Sequence, residues 1–138
     1  MDWRACRKNS FVKEIKRDQN LIDSLLKASA NKFYAQGLLE LNDETISSKI
    51  TLVYDALREL LEALAISHGY KIYNHECYCY FLKDIMKKSA LAVKFNYFRK
   101  VRNAINYYGE DISADDAKSL LDSMESFIED VKNLLLGK

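Results

Sequence analysis

No proline occurs anywhere in these 138 residues, and only four glycines do. Proline and glycine are the residues that stop helices and open tight turns. A sandwich or barrel built from many short strands needs such punctuation often, whereas long helices need almost none. The residues near the C-terminus are patterned accordingly. Ala117, Leu120, Leu121, Met124, Phe127, Ile128, Val131, Leu134 and Leu135 recur three or four apart, so they share one face of a helix. The chain is therefore expected to be all-α without β-sheet: an antiparallel up-and-down bundle of four or five helices.

Local signals divide the chain into five helical segments. Asp18 is positioned to cap the first, which runs to Leu41 with the stripe Ile22, Leu26, Ala30, Phe33, Gly37 and Leu41. Asn42-Asp43 ends it. The second spans Ile46 to His68, with Gly69 at the C-terminal capping position. Its polar residues Thr51, Asp55, Arg58, Glu59 and Glu62 make only a narrow stripe, so it is expected at the centre, with Leu57, Leu60 and Leu64 buried. Asn74 is expected to cap a third helix, His75 to Lys88, that buries Tyr78, Phe81, Leu82 and Ile85. The fourth runs from Leu91 to Tyr108 and stops at Gly109, and Ser113 opens the last, with Asp115 and Asp116 favoured by the helix dipole. Residues 1–17 show no period and are read as a basic arm or a short extra helix. Residues 18–138 then form a single domain, as the length suggests.

The cysteines are Cys6, Cys77 and Cys79. An odd count without CxxC spacing gives no disulfide framework and no zinc signature. Unpaired thiols imply a reducing, cytoplasmic setting. The N-terminus lacks the apolar run of a signal peptide, and no stretch approaches the roughly 20 apolar residues of a membrane span. No phosphate-binding glycine loop or metalloprotease motif occurs, and no cofactor or metal is expected.

Net charge is only +1, but it is unevenly placed. Residues 83–102 carry seven Lys/Arg against Asp84 alone, and residues 110–138 carry eight acids against three lysines. Phe95, Tyr97, Phe98 and Tyr107 are interleaved with the basic belt or follow it closely. Such a belt can attract a phosphate backbone; it can equally be solvated surface or pair with the acidic last helix. Within it, Arg99, Arg102, Asn103 and Asn106 fall in an arc of roughly 100°. Tyr97, Phe98, Val101, Ala104, Ile105 and Tyr108 take the opposite arc. The expectation is that the aromatic arc faces the core and the arginine–asparagine arc faces away from it. Asparagine is a poor helix former, so two of them beside two arginines single this face out. The candidate binding residues are Lys94, Arg99, Lys100, Arg102, Asn103 and Asn106.

The stretch Arg102-Asn103-Ala104-Ile105-Asn106-Tyr107-Tyr108-Gly109 resembles the signature of HEPN domains, helical bundles found in prokaryotic toxin–antitoxin and nucleotidyltransferase-associated proteins. Their motif is an arginine, commonly followed by a polar residue, then a histidine four to six residues after the arginine. Arg102 and Asn103 match its opening. Tyr107 stands where the histidine is first expected, and no histidine follows within reach. Two weaker stretches, Tyr54 to Leu64 and Gly69-Tyr70-Lys71 with His75-Glu76, extend the resemblance over about Phe11 to Leu136.

The resemblance implies a homodimer, a nucleotidyltransferase partner and contact with RNA or a nucleotide. In catalytic members the arginine binds phosphate and the histidine moves the proton, usually across a dimer. Arginine suits phosphate through its planar fork. A tyrosine, with an ordinary pKa near 10, is a poor base at neutral pH. Three functions are thus weighed. The leading one is a non-catalytic nucleic-acid or nucleotide-binding module. The second is a metal-independent endoribonuclease toxin with Arg102 and Tyr107 as its catalytic residues, or with His68 or His75 folded back beside Arg102. The third is a dimerisation module without a ligand. Glu59 and Glu62 could share a face as acid and base, but Arg58 lies within pairing distance of both, so a charged surface stripe is the expected reading.

Overall fold

A computed structural model describes residues 1–138. Six α-helices and two short strands follow in the order α1 (Trp3–Lys8), β1 (Val12–Glu14), α2 (Gln19–Gly37), α3 (Ile46–Ser67), β2 (Tyr70–Ile72), α4 (Cys77–Tyr80), α5 (Ser89–Tyr108) and α6 (Ala114–Leu135). The fold is a helical bundle with α3 at its centre, packed against α2, α5 and α6. Leu57, Leu60, Leu64, Phe127 and Val131 are all buried, as the patterning predicts. No helix is long and apolar enough to cross a membrane.

Several boundaries follow from local chemistry. The Asp18 carboxylate accepts from the Leu21 amide, and the Ser113 hydroxyl accepts from the Asp116 amide. Gly69 has φ +87°, and a Cβ there would meet the Ile15 carbonyl oxygen at 3.3 Å, so a side chain at this turn would be strained and would crowd the backbone just after β1. α2 stops at Gly37 rather than at Leu41. The Lys49 ammonium, reaching across from α3, donates to the Gln36 and Leu39 carbonyls at 2.7 Å each and satisfies the end there.

Residues 1–17 are not a loose arm. Trp3 and Cys6 of α1 are buried, and Trp3 packs on Tyr70 and Phe81. β1 pairs antiparallel with β2, Val12 opposite Ile72 and Glu14 opposite Tyr70. This small sheet corrects the expectation of none. Each strand is three residues long, too short for a period of two to declare itself, and each is completed only by a partner far away in sequence.

The cysteines are a second correction. Cys6 and Cys77 form a disulfide across 71 residues of sequence, with their Cα atoms 6.1 Å apart, and only Cys79 remains a free, buried thiol. The expectation of a reducing compartment rests on unpaired thiols, and this bond removes that ground.

The third expected helix is also shorter. Asn74 does accept the Glu76 amide, but α4 ends at Tyr80 and continues as a π-helical turn over Phe81–Ile85, closed by the Met86 amide on the Phe81 carbonyl at 3.0 Å. Lys87, at φ +58°, then turns the chain. The widened turn buries Phe81 and Leu82 and brings the Asp84 carboxylate to the Trp3 amide at 3.2 Å, leaving Ile85 only half-buried.

Candidate anion site between α3, α4 and α5

The core-facing arc of α5 is set by Leu91, Ala92, Phe95 and Phe98, all buried. At about 100° per residue, Arg99, Arg102 and Asn106 fall on the C-terminal continuation of that same arc. The arginine–asparagine face therefore lies against α3 and α4, while Tyr97 and Tyr108 stand 58% and 77% exposed. The expected orientation is thus corrected in part: Phe98 is buried and Val101 and Ile105 pack against the core as expected, but Tyr97 and Tyr108 face out and the arginines turn inward. The larger apolar residues of the first two turns decide how α5 seats, and the polar arc follows them inward.

Seen in order along α5, these side chains form a polar seam that runs from half-buried Arg99 and Arg102 to exposed Asn106. Arg99 donates to the Asn96 amide oxygen at 2.9 Å and lies 3.6 Å from the Glu76 carboxylate beside α4. The Arg102 guanidinium is held between two rings, 5.1 Å from the centroid of Tyr54 and 5.5 Å from that of Tyr107. It donates to the Asn103 amide oxygen at 3.3 Å and the Tyr107 hydroxyl at 3.2 Å. Asn106 and Thr51 of α3 are hydrogen bonded at 3.2 Å. Of the six candidate binding residues, Arg99, Arg102, Asn103 and Asn106 thus share the seam. Lys100 joins Arg99 along a groove of about 410 Å³ that also touches Glu76, Cys79, Lys83 and Asn96. Lys94 is exposed and outside that groove.

Beneath the arginines lies a pair that the α5 pattern alone does not reveal. The Tyr54 hydroxyl is 3.3 Å from Nδ1 of His75. His75 is therefore the histidine that comes to the arginine face, while exposed His68 sits past the end of α3 against Phe81. Burial pushes the Tyr54 phenol up to about 12, against the opposing pull of Arg102, Arg58 and Arg99. Burial also lowers the His75 pKa below the usual histidine value, and Arg58 and Arg102 lower it further. Cys79 is raised to about 11, chiefly by burial. The free site thus holds a neutral imidazole, a neutral phenol and fixed cations.

The remaining charges are distributed unevenly. Arg58 pairs with Glu62 at 3.2 Å, and Lys71 contacts the other oxygen of that carboxylate. Glu59 turns to the opposite side and is buried against Lys32 of α2. The two carboxylates therefore sit in separate ion pairs, and Arg58 engages only Glu62. The acidic α6 pairs only with its own lysines, not with the basic belt. Arg102 has no carboxylate within ion-pair distance, and the Nε–H groups of both Arg99 and Arg102 are buried without a partner. A buried donor left unmade is disfavoured by roughly 1–3 kcal/mol, more when charged. Both Nε–H groups are enclosed, so an oxyanion would meet the terminal nitrogens: those of Arg99 beside the groove that Lys83 and Lys100 also line, and those of Arg102 between the two tyrosine rings.

No group of three or more His, Cys, Asp or Glu side chains is placed to hold a metal ion. Compared with known proteins, the sequence matches no family model and no curated protein.

Proposed function

We propose that this protein is a HEPN-type antiparallel bundle that binds the phosphate of a nucleic acid or nucleotide in the seam between α3, α4 and α5, without cleaving it. The observation that carries the reading is the grouping of cations on this side of α5: Arg102 has no carboxylate within ion-pair distance, and Arg99 shares an open groove with Lys83 and Lys100. Arginine keeps its charge at any working pH, so such a site persists without a catalytic base. Asn103 and Asn106 lie beside it for ribose or base edges, and exposed Tyr107 offers a face for stacking. The resemblance supplies the rest of the proposal: a nucleotidyltransferase partner in a toxin–antitoxin-type pair.

The test is labelled RNA with chelator present, comparing the unaltered protein with Arg102→Ala. A hydrogen bond involving a charged group contributes about 1.5–3 kcal/mol, so affinity should fall about 10- to 100-fold. The salt slope of binding should drop by about one unit. Cleavage that disappears with Arg102 would instead establish the endoribonuclease reading, for which the placement of His75 is the supporting observation. Absence of binding at low salt would leave a structural module.

Homodimerisation is the second part of the proposal, and its surface differs from the arginine arc. Val93, Tyr97 and Tyr108 stand 71%, 58% and 77% exposed along the outer side of α5. Two copies meeting there would bury this apolar strip and keep their arginine seams separate. Sedimentation at tens of micromolar should give a dimer that Tyr97→Glu dissociates; a monomer under those conditions ends this part.

A further inference from the structure

Resting on the anion site proposed above, we infer that His75 is its proton-linked donor: an anion seated against Arg99 and Arg102 draws a proton onto the imidazole, so that phosphate binding tightens as pH falls through the histidine range. The geometry is that of a relay with two settings. Nδ1 of His75 and the Tyr54 hydroxyl are 3.3 Å apart, and the Arg102 guanidinium lies over the same Tyr54 ring. A phenol hydroxyl both donates and accepts, so the contact survives protonation of the ring. When the imidazole is neutral with an open Nδ1, Tyr54 donates to it. When it is protonated, Nδ1–H donates to the Tyr54 oxygen, and the phenol keeps its proton but turns its O–H away from the ring.

The field around the ring decides which setting is populated. Tyr54, Asp55 and Arg58 face it from α3, Arg99 and Arg102 from α5, and Tyr78 from α4, with Glu76 next in the chain and engaged by Arg99. Four cations (Arg58, Lys71, Arg99 and Arg102) stand there against three carboxylates (Asp55, Glu62 and Glu76), leaving one net positive charge. Half-burial and this excess hold the free ring neutral. A singly charged phosphodiester cancels that excess, which removes the repulsion on the imidazolium and favours proton uptake on binding. The same linkage acts on folding. A histidine pKa lowered in the folded state means stability is complete above about 6.5 and is lost as pH falls from there toward the folded value.

The probe is a single-stranded RNA oligomer without terminal phosphates, since its phosphodiesters do not themselves titrate near neutrality. Affinity of the unaltered protein should rise about three- to tenfold between about pH 7.5 and 6.0, the upper limit for one linked proton being about tenfold per pH unit. His75→Gln should bind with a flat profile, and His68→Gln should keep the slope. Imidazole proton resonances of the unaltered protein give a measurement independent of any substitution: the His75 pKa should rise when RNA is added. RNA binding with a flat profile and an unmoved His75 resonance overturns this inference and leaves the anion site intact. Absence of RNA binding at every pH overturns the anion site itself.

Discussion

Replacing Cys6 and Cys77 together by serine should lower the free energy of unfolding by about 4 kcal/mol, from the chain-entropy relation for a closed loop of this size. The bond spans 71 residues, so it removes a large set of extended conformations from the unfolded chain. Its local consequence is equally concrete. It fastens α1, which has little apolar surface of its own beyond Trp3 and Cys6, to α4. The segment just ahead of Cys77 carries His75 and Glu76, two walls of the arginine seam. Guanidinium denaturation of the double variant, and of the unaltered protein with excess dithiothreitol, should give matching shifts of the midpoint. A change below about 1 kcal/mol in both would mean that the pair is not bonded in solution.

Phe127→Ala should destabilise the protein by about 3–5 kcal/mol, the range for deleting a fully enclosed aromatic ring. Phe127 is wholly buried and is the point at which α6 holds α5. Its ring lies edge-on to Phe98 at 5.6 Å and stacked on Phe95 at 6.3 Å, and Phe95 in turn stacks on Tyr54 at 5.9 Å. The same rings that seal the core therefore fix the floor beneath Arg102. A second effect follows: RNA affinity should weaken in Phe127→Ala at temperatures where the protein is still folded. A loss below about 1 kcal/mol would show that α6 is not docked on α5 as described.

The two routes by which the anion site is held differ in how far they could be read from the chain. The α5 helix, its stop at Gly109 and the cluster Arg99, Arg102, Asn103 and Asn106 are local features. Each depends on residues within a turn or two of one another, and propensity, capping and spacing act at that range. Tyr54 and His75 are also visible as residues, in the stretches that carry the family resemblance. Their pairing is not, because it needs α3 and the start of α4 to be brought together over 21 residues of sequence. The same holds for the β1–β2 pairing and the Cys6–Cys77 bond, whose partners carry no signal until the chain has closed on itself.

Sequence alone determined that this protein is built from long helices. The absence of proline, the capping residues Asp18 and Ser113 and the stripe on α6 leave little else. It also placed the arginines and asparagines on one side of α5. Only the tertiary structure decided which way that side faces. A helical wheel fixes the angles between residues but not the rotation of the helix against its neighbours, and α5 offers apolar residues on both arcs. Phe95 and Phe98, packed on Phe127 and Tyr54, set that rotation, and the arginine seam was carried inward with them. Two guanidinium groups drawn partly out of water, one of them without a carboxylate partner, are the physical result, and the function proposed here depends on that inward turn.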